Sequence, residues 1–131
     1  ELVPQGLDLW RWNMQHQIMW IFDSLISNED RNQGNILIDT EWNIWMVDHT
    51  RAFRLHTEMD KLDKVLYCDR SLWAKLNSLT KKELVENLSD YLRPNEITAI
   101  LKRRDIIVKH LQKRIDKEGE SSVFFTLPRL K

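Results

Sequence analysis

Across most of this chain the apolar residues recur at helical spacing. Only between residues 36 and 47 does the pattern change, to two short apolar runs around a turn. That contrast predicts a mostly α body carrying one small β-hairpin. The opening helix is read over residues 9–27, where Trp10, Met14, Ile18, Ile21 and Leu25 fall on one face and Asp8 stands ready to cap the start. The polar stretch from Asn28 to Asn35 breaks the periodicity and reads as a loop. Ile36-Leu37-Ile38 suits a buried strand, Asp39-Thr40-Glu41-Trp42 turns the chain, and Asn43 to Val47 returns as a second strand. The ends of this hairpin then lie at Asn35 and Asp48.

Helical signals resume over residues 58–118. Leu62, Val65 and Leu66 suggest one short helix, and Leu72, Trp73 and Leu76 another. Thr80 followed by Glu83 is a capping-box pattern, with Leu84, Leu88, Tyr91 and Leu92 as its apolar stripe. Pro94 breaks that helix or opens the next. In the last helix, Ile97, Ile100, Leu101, Val108, Leu111 and Ile115 form the expected buried face. Lys102, Arg103, Arg104, Lys109, Lys113 and Arg114 are expected to point mostly elsewhere, and Gly119 to end the helix. The tail over 119–131 contains Val123-Phe124-Phe125-Thr126-Leu127-Pro128, which must dock on this chain or on a neighbour. At 131 residues and 15.8 kDa, the chain is expected to fold as a single domain spanning 1–131.

Composition narrows the class of function. Apolar residues make up 42% and charged residues 31%, a globular rather than a disordered mix. No apolar run approaches the roughly 20 residues of a membrane span, and no signal-peptide pattern opens the chain. The single cysteine, Cys68, excludes an internal disulfide and a cysteine-built zinc site, and favours a reducing, cytoplasmic setting. The zero net charge conceals an asymmetry: residues 1–50 carry 8 acidic and 2 basic side chains, and the remainder 12 and 18. An acidic first part can concentrate a divalent cation, and a basic second part can meet phosphates or an acidic partner.

The loop and hairpin hold the most informative constellation. Asp30 and Asn35 lie five positions apart in Asp-Arg-Asn-Gln-Gly-Asn, and Asp48 follows the second strand 13 residues beyond Asn35. A hairpin brings all three to one opening. Such a set suits metal-assisted phosphoryl transfer, in which one carboxylate accepts a hydroxyl proton while a carboxylate and an amide oxygen hold magnesium on the phosphates.

The run from Phe22 to Ile38, followed by Met46-Val47-Asp48-His49-Thr50-Arg51-Ala52-Phe53, resembles the catalytic and metal-binding loops of the protein-kinase-like superfamily. The similarity is to its atypical branches: phosphatidylinositol lipid kinases, secretory-pathway kinases and the bacterial persistence-toxin (HipA-like) kinases. It covers about 35 residues, and the flanking helices fit a kinase C-terminal lobe. The resemblance implies that Asp30 is the catalytic aspartate and that Arg31 orders the catalytic loop. Asn35 and Asp48 then bind magnesium (or manganese) and, through it, ATP. Arg51 and Phe53 match an Arg-x-Phe that often follows the metal aspartate. His49-Thr50 stands where Phe-Gly is usual, so a regulatory flip of that loop is not expected. Only Gly6, Gly34 and Gly119 are glycines, so no Gly-rich phosphate loop and no N-lobe is legible. The expectation is a fragment of a longer enzyme, completed by an N-lobe in cis or in trans, acting on a hydroxyl-bearing substrate and inactive alone.

Other readings compete with this one. Asn28, Asp30, Asn32 and Asp39 fit positions 1, 3, 5 and 12 of a calcium-loop frame, but the glycine comes one position late and a strand follows. The plainest alternative is that Asp30 and Asn35 tighten a turn and Asp48 caps a strand end. His16, His49, His56 and His110 show no ligand spacing. Trp10, Trp20, Trp42, Trp45 and Trp73 read as core residues, leaving Trp12 as the exposed one. Nucleic acid is not expected as a partner. The alternative function is a non-enzymatic interaction module binding through its basic last helix, at Lys102, Arg103 and Arg104.

Overall fold

The computed structural model describes residues 8–28, 36–46 and 52–127. The chain is mostly helical, with one small antiparallel hairpin and a minor parallel strand pair. Helix α1 (Leu9–Ile26) begins where Asp8 accepts the Arg11 N–H at 3.1 Å. Its buried stripe differs from the expected one. Met14, Gln17, Ile21 and Ser24 are buried, whereas Trp10 is 49% exposed and Ile18 and Leu25 are half-buried. A polar residue displaces the apolar pattern because it has backbone partners: Gln17 donates to the Lys64 carbonyl and accepts from the N–H groups of Leu66 and Tyr67.

Strands β1 (Ile36–Ile38) and β2 (Ile44–Met46) form the hairpin, with Ile36 opposite Met46 and Leu37 opposite Trp45. The β1 strand is not buried as expected. Leu37 is 56% exposed and Trp45 52%, side by side on one face of the pair. A two-stranded ribbon resting on a single helix has only one face covered. Two side-chain anchors fix that rest: Gln15 donates to the Trp42 carbonyl at 2.9 Å and accepts the Ile44 N–H at 2.8 Å.

Beyond the hairpin, a single 3₁₀ turn (Leu62–Lys64) stands where a short helix was expected. The pair of β3 (Cys68–Asp69) and α2 (Arg70–Ser78) follows, with Asp69 capping α2 through the Leu72 N–H. Helix α3 (Lys81–Leu88) starts at Thr80, whose hydroxyl accepts the Glu83 N–H at 3.2 Å. It stops before Tyr91, which is 82% exposed rather than part of an apolar stripe. Pro94 opens the long α4 (Pro94–Glu118), and Glu96 accepts the Arg93 N–H at 2.7 Å. Gly119 ends it at φ +88°, a backbone conformation that a side chain would strain. After α5 (Glu120–Val123), strand β4 (Phe124–Phe125) pairs in parallel with β3, so the apolar tail docks on its own chain.

The core falls into two clusters. Ile21, Val65, Cys68, Leu76, Ile107, Leu111 and Val123 form the larger, under α1 and α4. Leu84, Ile97 and Ile100 form the smaller between α3 and α4, and Leu25 and Phe53 pack against it. Leu25 touches both clusters.

The basic face of α4 is the main departure from the expected pattern. Arg103 is fully buried, and Arg104 and Arg114 are partly so. Arg104 donates to the carbonyls of Leu76 and Leu79, and Arg114 to that of Leu66. Lys102, Lys109 and Lys113 stay exposed as expected. No helix among the described residues is long and apolar enough to cross a membrane.

Candidate functional site

Asp30, Arg31, Asn35 and Asp48 lie outside the described residues, as do His49, Thr50 and Arg51. The structure does describe the three segments that flank them, and two of these, the end of α1 and residues 52–56, are tied together. The first is the end of α1. Ser27 takes the left-handed conformation at φ 52°, which closes the helix and turns the chain. Asn28, the last described residue before Asp30, is buried. Its N–H donates to the Asp23 carbonyl at 2.9 Å and its side-chain amide to Asp23 Oδ1 at 3.4 Å.

The second segment is the hairpin. Asp39 organises its turn by accepting from the backbone of Glu41 and Asn43 and from the side chains of Asn43 and Trp45, all at 2.9–3.0 Å. The Trp45 and Asn43 donors hold its carboxyl well below the usual carboxylate range. Both Asp39 oxygens therefore already face donors from the turn. This weighs against the calcium-loop frame, in which position 12 gives both oxygens to the ion.

The third segment, residues 52–56, returns from the stretch that contains Asp48. Phe53 sits at φ 65° and its N–H donates to the Ile26 carbonyl at 2.5 Å. Ser27 Oγ and His56 Nε2 are 3.3 Å apart. Arg103 then fastens the first and third segments from beneath. Its Nε donates to the Leu25 carbonyl at 2.8 Å, and its Nη1 to the carbonyls of Arg54 and His56 at 2.6 and 3.1 Å. Burial pushes the Arg103 guanidinium below its ordinary pKa, yet arginine keeps its proton in proteins. A permanent cation thus joins the end of α1 to residues 54–56.

Arg103 was not separable by residue type from Lys102 and Arg104. The signal was its register: Ile100, Arg103, Ile107 and Leu111 recur at steps of three, four and four, which places it on the buried stripe.

Beside Asn28 opens a small cavity of about 50 Å³, lined by Asp23, Ser24, Ser27 and Asn28 and, across from them, Glu58 and Asp60. It has room for ordered water next to the entry of the Asp30 loop. Among the described residues no three His, Cys, Asp or Glu side chains come together as a metal centre. His16 and His110 each bond a backbone carbonyl, those of Trp12 and Val65. Cys68 is fully buried, and burial with the neighbouring Asp69 charge pushes its thiol up to about 12, far from a reactive thiolate.

Two tryptophans expected in the core, Trp10 and Trp45, are half-exposed. No protein-family model matches the chain, and no curated protein gives a significant match.

Proposed function

We propose that the chain is the C-terminal catalytic lobe of an atypical, magnesium-dependent kinase that moves a phosphoryl group from ATP to a hydroxyl acceptor. The observation that carries the proposal is the register of the hairpin. Ile36 is paired with Met46, Asn35 is bonded to the first of them, and Asp48 is two residues beyond the second. Consecutive Cα atoms are about 3.8 Å apart, so the two ligand positions branch from neighbouring points. The Arg103 clamp and the Phe53–Ile26 bond bring the return of the Asp48 segment to the end of α1, from which the Asp30 loop departs.

In this reading Asp30 orients the acceptor hydroxyl and takes its proton, and Arg31 orders the loop around it. Asn35 and Asp48 offer an amide oxygen and a carboxylate, the hard donors that magnesium or manganese prefers, with phosphates and water completing the shell. An ion held there would supply neutralisation of the phosphate charge. The apolar Leu37–Trp45 face of the hairpin adds a flat surface beside those ligands, suited to a nucleobase. A further lobe, in cis or in trans, covers the nucleotide.

The interaction-module reading finds less support. Arg103 and Arg104, two of the three residues that would meet a partner, bind carbonyls of their own chain.

The test is thermal stability of the chain with manganese and an ATP analogue, alone and together, for the native protein and for Asp48→Ala. A metal-dependent stabilisation present in the native chain and lost in the variant is expected. Equal stabilisation of both proteins overturns the assignment of Asp48.

A further inference from the structure

A groove of about 610 Å³ runs along α1, with walls that include Trp10, Trp12, His16, Trp20, Tyr67 and Phe124. It shares no lining residue with the cavity at the end of α1. From Trp10 to Trp20 the helix advances about 15 Å. We infer that this groove binds a free nucleotide, with its base against the indole wall and its phosphate on Lys64 and Arg70. This site is separate from the proposed catalytic one and does not depend on it.

Three observations select that ligand. The walls are aromatic faces and edges: Trp12 meets His16 edge-on at 4.9 Å, His16 lies 5.8 Å from Trp20, and Trp10 remains half-exposed. A planar ring gains stacking there that an aliphatic anion does not. Two cations border the same rings, Lys64 Nζ 5.7 Å from the Trp20 centroid and Arg70 Cζ 5.0 Å from that of Phe124. Both are exposed, neither forms an ion pair among the described residues, and no carboxylate lines the groove.

The charge therefore favours an anion, and the walls favour a flat one. The size sets the rest. Pockets of roughly 300–1,000 Å³ suit small molecules, and two cations match one phosphate group rather than the basic track a nucleic-acid strand follows. His16 supplies orientation. Its Nδ1 lies 2.9 Å from the Trp12 carbonyl, which can only accept, so Nδ1 is the donor there and Nε2 is the ring nitrogen left to meet a ribose hydroxyl or a base.

The test is a titration of the 131-residue chain with AMP in EDTA, which excludes any metal-dependent site, followed by NMR of the tryptophan indole N–H signals. Saturable shifts at Trp12 and Trp20 are expected, with Trp45 on the hairpin unmoved. The double variant Lys64→Glu with Arg70→Glu changes only exposed positions, and circular dichroism checks its fold. It should weaken AMP binding about tenfold, while adenosine should bind weakly to both proteins. Three results each overturn the inference: adenosine binding as tightly as AMP, the double variant binding AMP unchanged, or no movement of the Trp12 and Trp20 signals.

Discussion

The hairpin and the helical body of this protein are held by opposite means. Around α4 the apolar core lies in two clusters that Leu25 joins, and the fully buried, charged Arg103 has three backbone carbonyls as partners. The hairpin has little core of its own. Leu37 and Trp45 face outward, and polar anchors do the holding, Asp39 within the turn and Gln15 from α1. The difference teaches where rigidity resides. The ligand positions proposed for the metal branch from the softer unit, while the stiffer one fixes the segments on either side of it.

Removing the clamp should break the comparison most severely. Arg103→Met leaves three carbonyls without their donor, and a loss of about 3–5 kcal/mol is expected. Urea unfolding of the variant measures it, and Arg103→Lys should recover only part because an ammonium cannot reproduce the guanidinium fork. A loss below about 1 kcal/mol, within the range of an ordinary surface change, would show that the two sides of the site are joined by other contacts.

A smaller and local effect is expected at Asp39. Asp39→Ala should strip hydrogen-exchange protection from β1 and β2 while leaving α4 protected, since its partners all lie within the hairpin. The same carboxylate sets a pH dependence. Its folded pKa is lowered by the Trp45 and Asn43 donors, so its contribution is complete above the unfolded value of about 3.9. It is lost as pH falls from there through the folded value. Hairpin protection should thus be flat in this respect from pH 7 to about 5 and decline only in stronger acid. The smallest effect is expected for Leu37→Ser, within about 0.5 kcal/mol of the native stability, because that side chain is 56% exposed on the open face. A large loss there would mean that the open hairpin face is covered.

The contrast also explains what was legible in the sequence. Helix boundaries were: Asp8, Thr80 with Glu83, Pro94 and Gly119 stand where expected, because capping is chemistry between a side chain and the backbone within a few residues. The hairpin was legible as two apolar runs and a turn, but its exposure was not. Burial of Leu37 depends on what lies above the sheet, and an Ile-Leu-Ile run carries no information about that.

The buried stripe of α1 was misread at Trp10 and Ile18 because Gln17 takes a core position through backbone groups near residue 65, a contact set by tertiary path. Arg103 is the same lesson in a charged residue. Of the candidate site, the described structure bears on the flanks alone. There the hairpin reading holds over residues 36–46, with Ile36 paired to Met46, and its expected ends at Asn35 and Asp48 lie outside the described residues.

The most direct measurement is paramagnetic broadening by manganese, read residue by residue in the NMR spectrum of the chain with an ATP analogue present. The account predicts broadening centred on Ile36, Met46, Asn28 and Ala52, the described residues nearest in sequence to the proposed ligands and catalytic aspartate, and its loss in Asp48→Ala. Broadening centred instead on Glu58 and Asp60, or left unchanged in the variant, would contradict it.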